Sequence, residues 1–191
     1  MNGPLFGEPL GPPAVPLSDT DVVVLGDAQA WAVFSPCMKY RYVLGRAWSG
    51  DPLLAVTALN PSTATHEVLD PTLRKVVGYA RRDGYGGILI RNVAAWRATD
   101  PDELAEVEDP VGPANVRFLT LKYPGVGLHV GAWGRVQNKR VRERLARTID
   151  LARALTTHVL GPKLCQDGSP RHPLYLANAT PIVPWAEARV T

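Results

Sequence analysis

The chain is poor in sulfur and in metal-binding side chains: 191 residues contain two cysteines, two methionines and four histidines. Cys37 and Cys165 lie far apart and form no Cys-x-x-Cys pair, so they cannot by themselves ligate an iron–sulfur cluster or a structural zinc. Free thiols in a reducing cytoplasm are expected over a disulfide. His66, His129, His158 and His172 are scattered, His129 and His158 sit within apolar runs, and His66-Glu67 lacks the second histidine of a zinc-protease helix. Neither a metal nor a cofactor is expected. No apolar run approaches the ~20 residues of a membrane span, and no basic segment precedes an apolar core at the N-terminus. A cytoplasmic monomer with no membrane partner is expected. Also missing are a Gly-x-x-x-x-Gly-Lys phosphate loop, a Gly-x-Gly-x-x-Gly dinucleotide fingerprint and a Gly-x-Ser-x-Gly nucleophile elbow.

The chain does contain enough apolar residues, 46%, for one sizeable core, with 20% charged residues and a net charge of +3. Residues 1–17 hold five prolines and three glycines, which predicts a flexible tail over 1–19 followed by a single domain over 20–191. Val22–Leu25, Trp31–Phe34 and Tyr40–Arg46 read as strands of an antiparallel edge leading into a central strand at Leu53. Leu53–Leu59, Ile88–Ile90, Gly127–Ala132 and Thr157–Leu160 read as buried strands. Asp70 as N-cap and Pro71 at the first helical position predict a helix to about Arg82. Two further starts, at Asp100-Pro101 and Asp109-Pro110, predict a short helix and a helix reaching about Tyr123; a basic helix should run from about Val136 to Leu155. Strand, polar turn and helix recur, so the expected fold is a three-layer α/β/α sandwich with a mainly parallel sheet.

Polar residues stand where such sheets bind ligands, beyond the carboxyl ends of strands. They are Asn60-Pro61-Ser62, Asn92, Trp133-Gly134 and the proline-bracketed loop Ser169–Tyr175. Singly, each has a plain structural explanation as a turn, a cap or a satisfied loop histidine. Their shared position on successive connections points to one cleft. Between Arg135 and Arg147 six basic residues face one acid, which fits either a solvated helix face or a phosphate-binding surface.

Two resemblances rest on these residues. Arg41-Tyr42-x-Leu44, Leu59-Asn60-Pro61-Ser62-Thr63-Ala64, Asp70-Pro71-Thr72, Arg97–Pro101, Trp133-Gly134 and Arg171–Leu176 resemble the signature of a bacterial and phage family known only as a domain of unknown function. More distantly, the order of motifs is similar to the uracil-DNA glycosylase superfamily. Leu59-Asn60-Pro61 resembles the Gly-Ile-Asn-Pro-Gly motif of its mismatch-specific branch, whose asparagine positions the attacking water. Gly86–Asn92 resembles the next strand, which in the uracil-specific branch ends in a base-reading asparagine. Arg97-Ala98-Thr99, Glu103-Leu104 and Ala132–Lys139 resemble later motifs, and His172–Tyr175 resembles the His-Pro-Ser-Pro-Leu loop that enters the minor groove. Two departures stand out: Ser169-Pro170 precedes the histidine, and the base-stacking phenylalanine has no clear counterpart, Tyr79, Tyr85 and Trp96 being the candidates.

The resemblance implies a uracil-DNA glycosylase-like fold and a hydrolase that cleaves the N-glycosidic bond of a damaged or modified, pyrimidine-type base flipped out of DNA, as in base excision. Asn60 and His172 would be catalytic. Asn92, Pro61, Ser62 and Tyr175 would bind the base. Arg171, Arg135, Lys139 and Arg140 would hold phosphates of single- or double-stranded DNA, and Asp70, Arg97, Asp100 and Trp133 are further candidates. Two alternatives stay open: a nucleotide- or base-modification enzyme on the same fold, and a non-catalytic nucleic-acid-binding module.

Overall fold

A computed structural model describes residues 22–62 and 68–191. The expected tail over 1–19 lies outside them, as do Thr63, Ala64 and the His66-Glu67 pair. The first strands, β1 (Val23–Gly26), β2 (Ala30–Phe34) and β3 (Arg41–Ala47), form an antiparallel meander. Short connections leave no room for a crossover, so these strands must pair antiparallel. At the β1–β2 turn Gly26 has φ +101°, and a side chain there would run into the Ala30 carbonyl.

β4 (Leu53–Ala58), α1 (Pro71–Arg82) and β5 (Gly87–Asn92) follow as a β-α-β unit. Helix α1 starts where the sequence predicts, because Asp70 Oδ1 accepts the Leu73 N–H at 2.8 Å and Pro71 needs no partner for its nitrogen. The helix buries Leu73, Val76, Tyr79 and Ala80 on the sheet, a spacing that keeps them on one face. Next come α2 (Asn115–Thr120), β6 (Val126–Gly131), α3 (Lys139–Leu155), β7 (His158–Leu160), β8 (Lys163–Leu164), β9 (Ile182–Pro184) and β10 (Arg189–Val190).

Eight strands form one sheet in the order β1-β2-β3-β5-β4-β6-β7-β9, and β8 pairs with β10 separately. The expectation of a mainly parallel sheet is corrected. β5, β4, β6 and β7 are parallel, but the meander adds antiparallel strands on one side and β9 returns antiparallel to β7 on the other, giving a mixed sheet. The meander also does not lead into β4, since β5 inserts between them and pairs with β3.

Alternation along the strands splits the core. Leu54, Val56, Ile88 and Ile90 face α1, whereas Ala55 and Leu89 face Phe118 of α2. Helix α3 buries Val141, Leu145 and Ala152 in a cluster with Trp133, Val136, Leu104 and Ala105. Two helical expectations needed revision. The helix expected from Asp109 to about Tyr123 covers only Asn115–Thr120, because Asp109 closes a turn by accepting from the Val111 and Gly112 N–H groups. Helix α3 begins at Lys139 instead of Val136, since Asn138 caps it at the Arg140 and Val141 N–H groups. The segment Pro101–Ala105 is a 3₁₀ turn with a full capping box between Asp100 and Glu103. Cys37 and Cys165 are both free thiols.

Candidate active site

Within the parallel group the chain order is 2-1-3-4: β4 is first, with the second strand on one side and the third on the other. The connections from β4 and β6 therefore depart in opposite directions and open a crevice at their carboxyl ends. A cavity of about 680 Å³ occupies that position, within the size range of ordinary small-molecule sites. Asn60, Ser62, Asp70, Asn92, Trp133, Arg135, Arg171, His172 and Tyr175, all named from the sequence, line it.

The floor is built from strand register. Ala58 of β4 lies opposite Asn92 of β5, and Ala132, just past β6, donates its N–H to the Thr57 carbonyl at 2.8 Å. Beyond the strands the two chains stay laced together: Val93 N–H to Ala58, Ala94 N–H to Leu59 and Ala98 N–H to Pro61. Asn60 completes the lacing, its Nδ2 donating to the Ala98 carbonyl at 2.8 Å and the Pro61 carbonyl at 3.2 Å. With its nitrogen committed to two carbonyls, the amide offers the cleft its oxygen, an acceptor. Asn92 is 1% exposed, and its Oδ1 is buried without a hydrogen-bond partner. A buried amide oxygen with no donor carries a desolvation cost that a ligand N–H would remove.

The opposite wall is the His172 loop, held by α1. Lys75 Nζ donates to the Leu176 carbonyl, Tyr79 Oη to Ala177 at 3.1 Å, and Arg82 Nη1 to Asn178 and Thr180 at 2.8 Å each. The Trp133-Gly134 turn clasps the loop from the other side, Gly134 N–H donating to the Pro170 carbonyl at 2.9 Å. Gly134 has φ +74° and a Cβ there would sit 3.1 Å from His172 Cβ, so the clasp requires glycine. His172 Nδ1 accepts the Leu174 N–H at 3.3 Å, which puts the proton of the neutral ring on Nε2. Burial lowers the His172 pKa, with Asp70 pulling the other way. The neutral imidazole therefore presents an N–H donor. Tyr175, 77% exposed, stands beside it with ring centroids 5.6 Å apart.

Asp70 is the one carboxylate among the described residues lining the cavity, and both of its oxygens are engaged: Oδ1 by the Leu73 N–H, Oδ2 by the Ser62 hydroxyl. Sequence reasoning missed Arg41 as a site residue. It is 2% exposed at the first position of β3 and lines the cavity. Burial brings its pKa down to about 10, Asp70 raising it and Arg97 lowering it further. The guanidinium remains charged at neutral pH. Its signal was the Arg41-Tyr42-x-Leu44 motif, but its depth depends on β3 lying beside β5. Thr99 and Gln137, which lie inside motifs quoted for the resemblance but were not named as site residues, also line the cavity, as does Cys165, which had no sequence signal.

Five of the residues named from the sequence lie elsewhere. Pro61 is buried beneath the turn, and Asp100 caps the 3₁₀ turn through the Asp102 N–H. Lys139 pairs with Glu143 and Arg140 with Glu106, both exposed on α3. Arg97 lines a smaller adjoining pocket of about 250 Å³. None of the three aromatic candidates for base stacking lines the cleft: Tyr79 is buried in the core, Tyr85 packs against it, and Trp96 meets Tyr40 edge-on and borders the smaller pocket. The rings that do line it are Trp133, His172 and Tyr175.

Residues 41–174 match the model of the family described as protein of unknown function (DUF1643), and the chain belongs to that family. No curated protein and no solved structure matches it. Among the described residues no cluster of side chains could hold a metal ion, and no helix is long and apolar enough to cross a membrane.

Proposed function

We propose that the cleft binds a nucleobase and that the protein hydrolyses the bond between that base and its sugar, in the manner of the uracil-DNA glycosylase superfamily it resembles. The observation that carries this reading is the meeting of Asn60, Asn92 and His172 in one cavity, as three polar groups of complementary character. Asn92 Oδ1 waits for an N–H, as on the Watson–Crick edge of an extruded base. Asn60 Oδ1 accepts a proton-bearing water and aims its oxygen at the sugar C1′. The neutral His172 donates from Nε2 to a base oxygen. The C1′–N bond breaks with its electron pair going to the base, the water oxygen bonds to C1′, and the water's proton passes to the departing base or to solvent. Asn60 is an amide and takes no proton itself. His172 contributes where negative charge develops, which is where a fixed donor accelerates a reaction most.

DNA is the proposed partner, with Arg171 and Arg135 at the cavity wall meeting phosphates and the exposed Tyr175 at the mouth meeting the displaced stack. One observation favours the second reading, an enzyme that modifies nucleotides or bases: the buried charge of Arg41 inside the cavity suits an anionic group of a small substrate. Incubation with oligonucleotides carrying uracil, hydroxymethylated pyrimidines or mismatches, followed by alkaline cleavage, separates the two. Strand breaks at abasic sites, lost in Asn60→Ala and His172→Ala, are expected. Intact strands across the panel would remove the glycosylase reading.

A further inference from the structure

The smaller pocket beside the cleft has no role in the reaction just described, yet it shares Ser62, Ala98 and Thr99 with the cavity wall. Its construction follows from an isolated antiparallel bridge between Tyr40 and Trp96, flanked by hydrogen bonds from Arg41 N–H to Ala95 and from Arg97 N–H to Lys39. Side chains alternate across such a ladder, and residues opposite or diagonal to each other share a face. Tyr40 and Trp96 fall on one face, where they pack edge to face with ring centroids 5.3 Å apart, and Tyr40 stacks towards Tyr42. Arg41 and Arg97 alternate to the other face, Arg41 lining the cavity and Arg97 the smaller pocket. Lys39 and Trp96 border the smaller pocket together with Arg97, so two cations and one indole ring meet there.

The cations are held ready. Arg97 Nη1 donates to the Met38 carbonyl at 3.1 Å and its guanidinium lies over the Phe34 ring at 5.4 Å. Lys39 Nζ lies 5.7 Å from the centre of the Trp96 ring. No carboxylate is among the described residues lining the smaller pocket. Cations that converge on one pocket, already ordered by stacking, favour an anion with several acceptor oxygens.

We propose that this smaller pocket is a phosphate subsite of the cleft, gripped by Lys39 and Arg97, with Arg41 in the adjoining cavity wall. Its ligand is a phosphate of the nucleotide that the cleft holds, so the inference rests on reading the cleft as a nucleotide site but not on the bond being cleaved. The phosphate is either a diester in a strand or a monoester on a free nucleotide, and binding measurements tell them apart.

The test titrates the full-length protein at low salt with a fluorescein-labelled oligothymidylate, with thymidine 5′-monophosphate and with uncharged thymidine. The expected result is at least tenfold weaker binding of a phosphate-bearing probe by Arg97→Gln, at least threefold by the exposed Lys39→Gln, and partial recovery in Arg97→Lys. Thymidine binding should be unchanged. For the strand, the double variant should also flatten the salt dependence by a slope of about 1.4, the share of two phosphate contacts on single-stranded DNA. An effect confined to the oligonucleotide assigns the diester; one confined to the monophosphate assigns the monoester. Loss of thymidine binding in step with the other probes, unchanged binding of both phosphate probes, or failure of the wild-type protein to bind either would overturn the subsite. Base release is not the readout, so a protein that binds phosphates here without making abasic sites would keep the subsite and lose the glycosylase.

Discussion

Helix α3 and the rim of the cleft are both rich in arginine, and they use it differently. On α3, Arg140 pairs with Glu106, Arg142 donates to the Val136 carbonyl, and Arg144 donates to the carbonyls of Leu104, Ala105 and Glu108. Arg140 and Arg144 tie the helix to the 3₁₀ turn and the residues just after it, and Arg142 ties it to the segment that enters it. At the cleft, Arg41, Arg135 and Arg171 come from a strand, a turn and a loop far apart in the chain, and the described residues lining the cavity include a single carboxylate. Charge clustered in sequence serves the fold here; charge gathered from distant segments lines the cleft. A basic run along a helix is thus a poor guide to a binding surface unless its partners are known.

The sharpest way to break that contrast is in the cleft itself. His172→Ala should lower base release by about 10²- to 10³-fold, the usual result of removing one donor from developing negative charge, with oligonucleotide binding far less affected. Equal losses of binding and turnover would place His172 in binding alone. Next in size is Arg144→Ala. It should cost about 2–3 kcal/mol in urea unfolding, since a charged donor to several carbonyls is lost, while oligonucleotide affinity stays within twofold. A drop in affinity without a drop in stability would return α3 to the phosphate-binding surface.

A third prediction concerns a buried arginine that belongs to neither group. Arg91, 2% exposed in β5, donates to the Leu119 carbonyl at 2.7 Å and lies 2.8 Å from His129 Nδ1. Burial, and then the charge of Arg91, lowers the His129 pKa below its ordinary 6.5. The unfolded chain therefore binds more protons than the folded one on the acid side. Stability is whole above about pH 6.5 and declines as the pH falls from there towards the folded value, His172 acting in the same direction. The urea midpoint should fall between pH 7.5 and 5, and less so in His129→Gln. An acid-side rise would contradict the arrangement. The smallest effect is expected at the surface pairs: Lys139→Gln and Arg140→Gln should change strand binding by less than about twofold and barely move the thermal midpoint.

Some of this architecture was legible residue by residue. Helix α1 could be placed to its ends because Asp70, Pro71 and Gly84 are local instructions, each acting within a turn of its own position. The 3₁₀ turn at Pro101 was readable as a short helical start for the same reason, and the apolar runs at Leu53 and Ile88 announced buried strands; the run at Gly127 forms a strand buried only at Val130 and Gly131. Asn60, Asn92 and His172 could be gathered into one site because strand ends in an alternating α/β chain share an edge of the sheet. Strand order was beyond such reasoning. Nothing local to Tyr40–Arg46 shows that its partner is β5 instead of β4, because pairing is decided by which long-range contacts bury the most apolar surface.

The amino-acid sequence by itself determined where elements start and stop, which faces are apolar, and that polar groups follow the central strands, all consequences of backbone sterics, capping and periodicity within a few residues. Only the tertiary structure decided that the sheet is mixed, that Arg41 is buried at the cleft with Asp70, and that the basic helix turns Arg142 and Arg144 onto backbone carbonyls. A side chain's role in each case depends on which distant group becomes its neighbour. That is a property of packing the whole chain around one core, and no short stretch carries it.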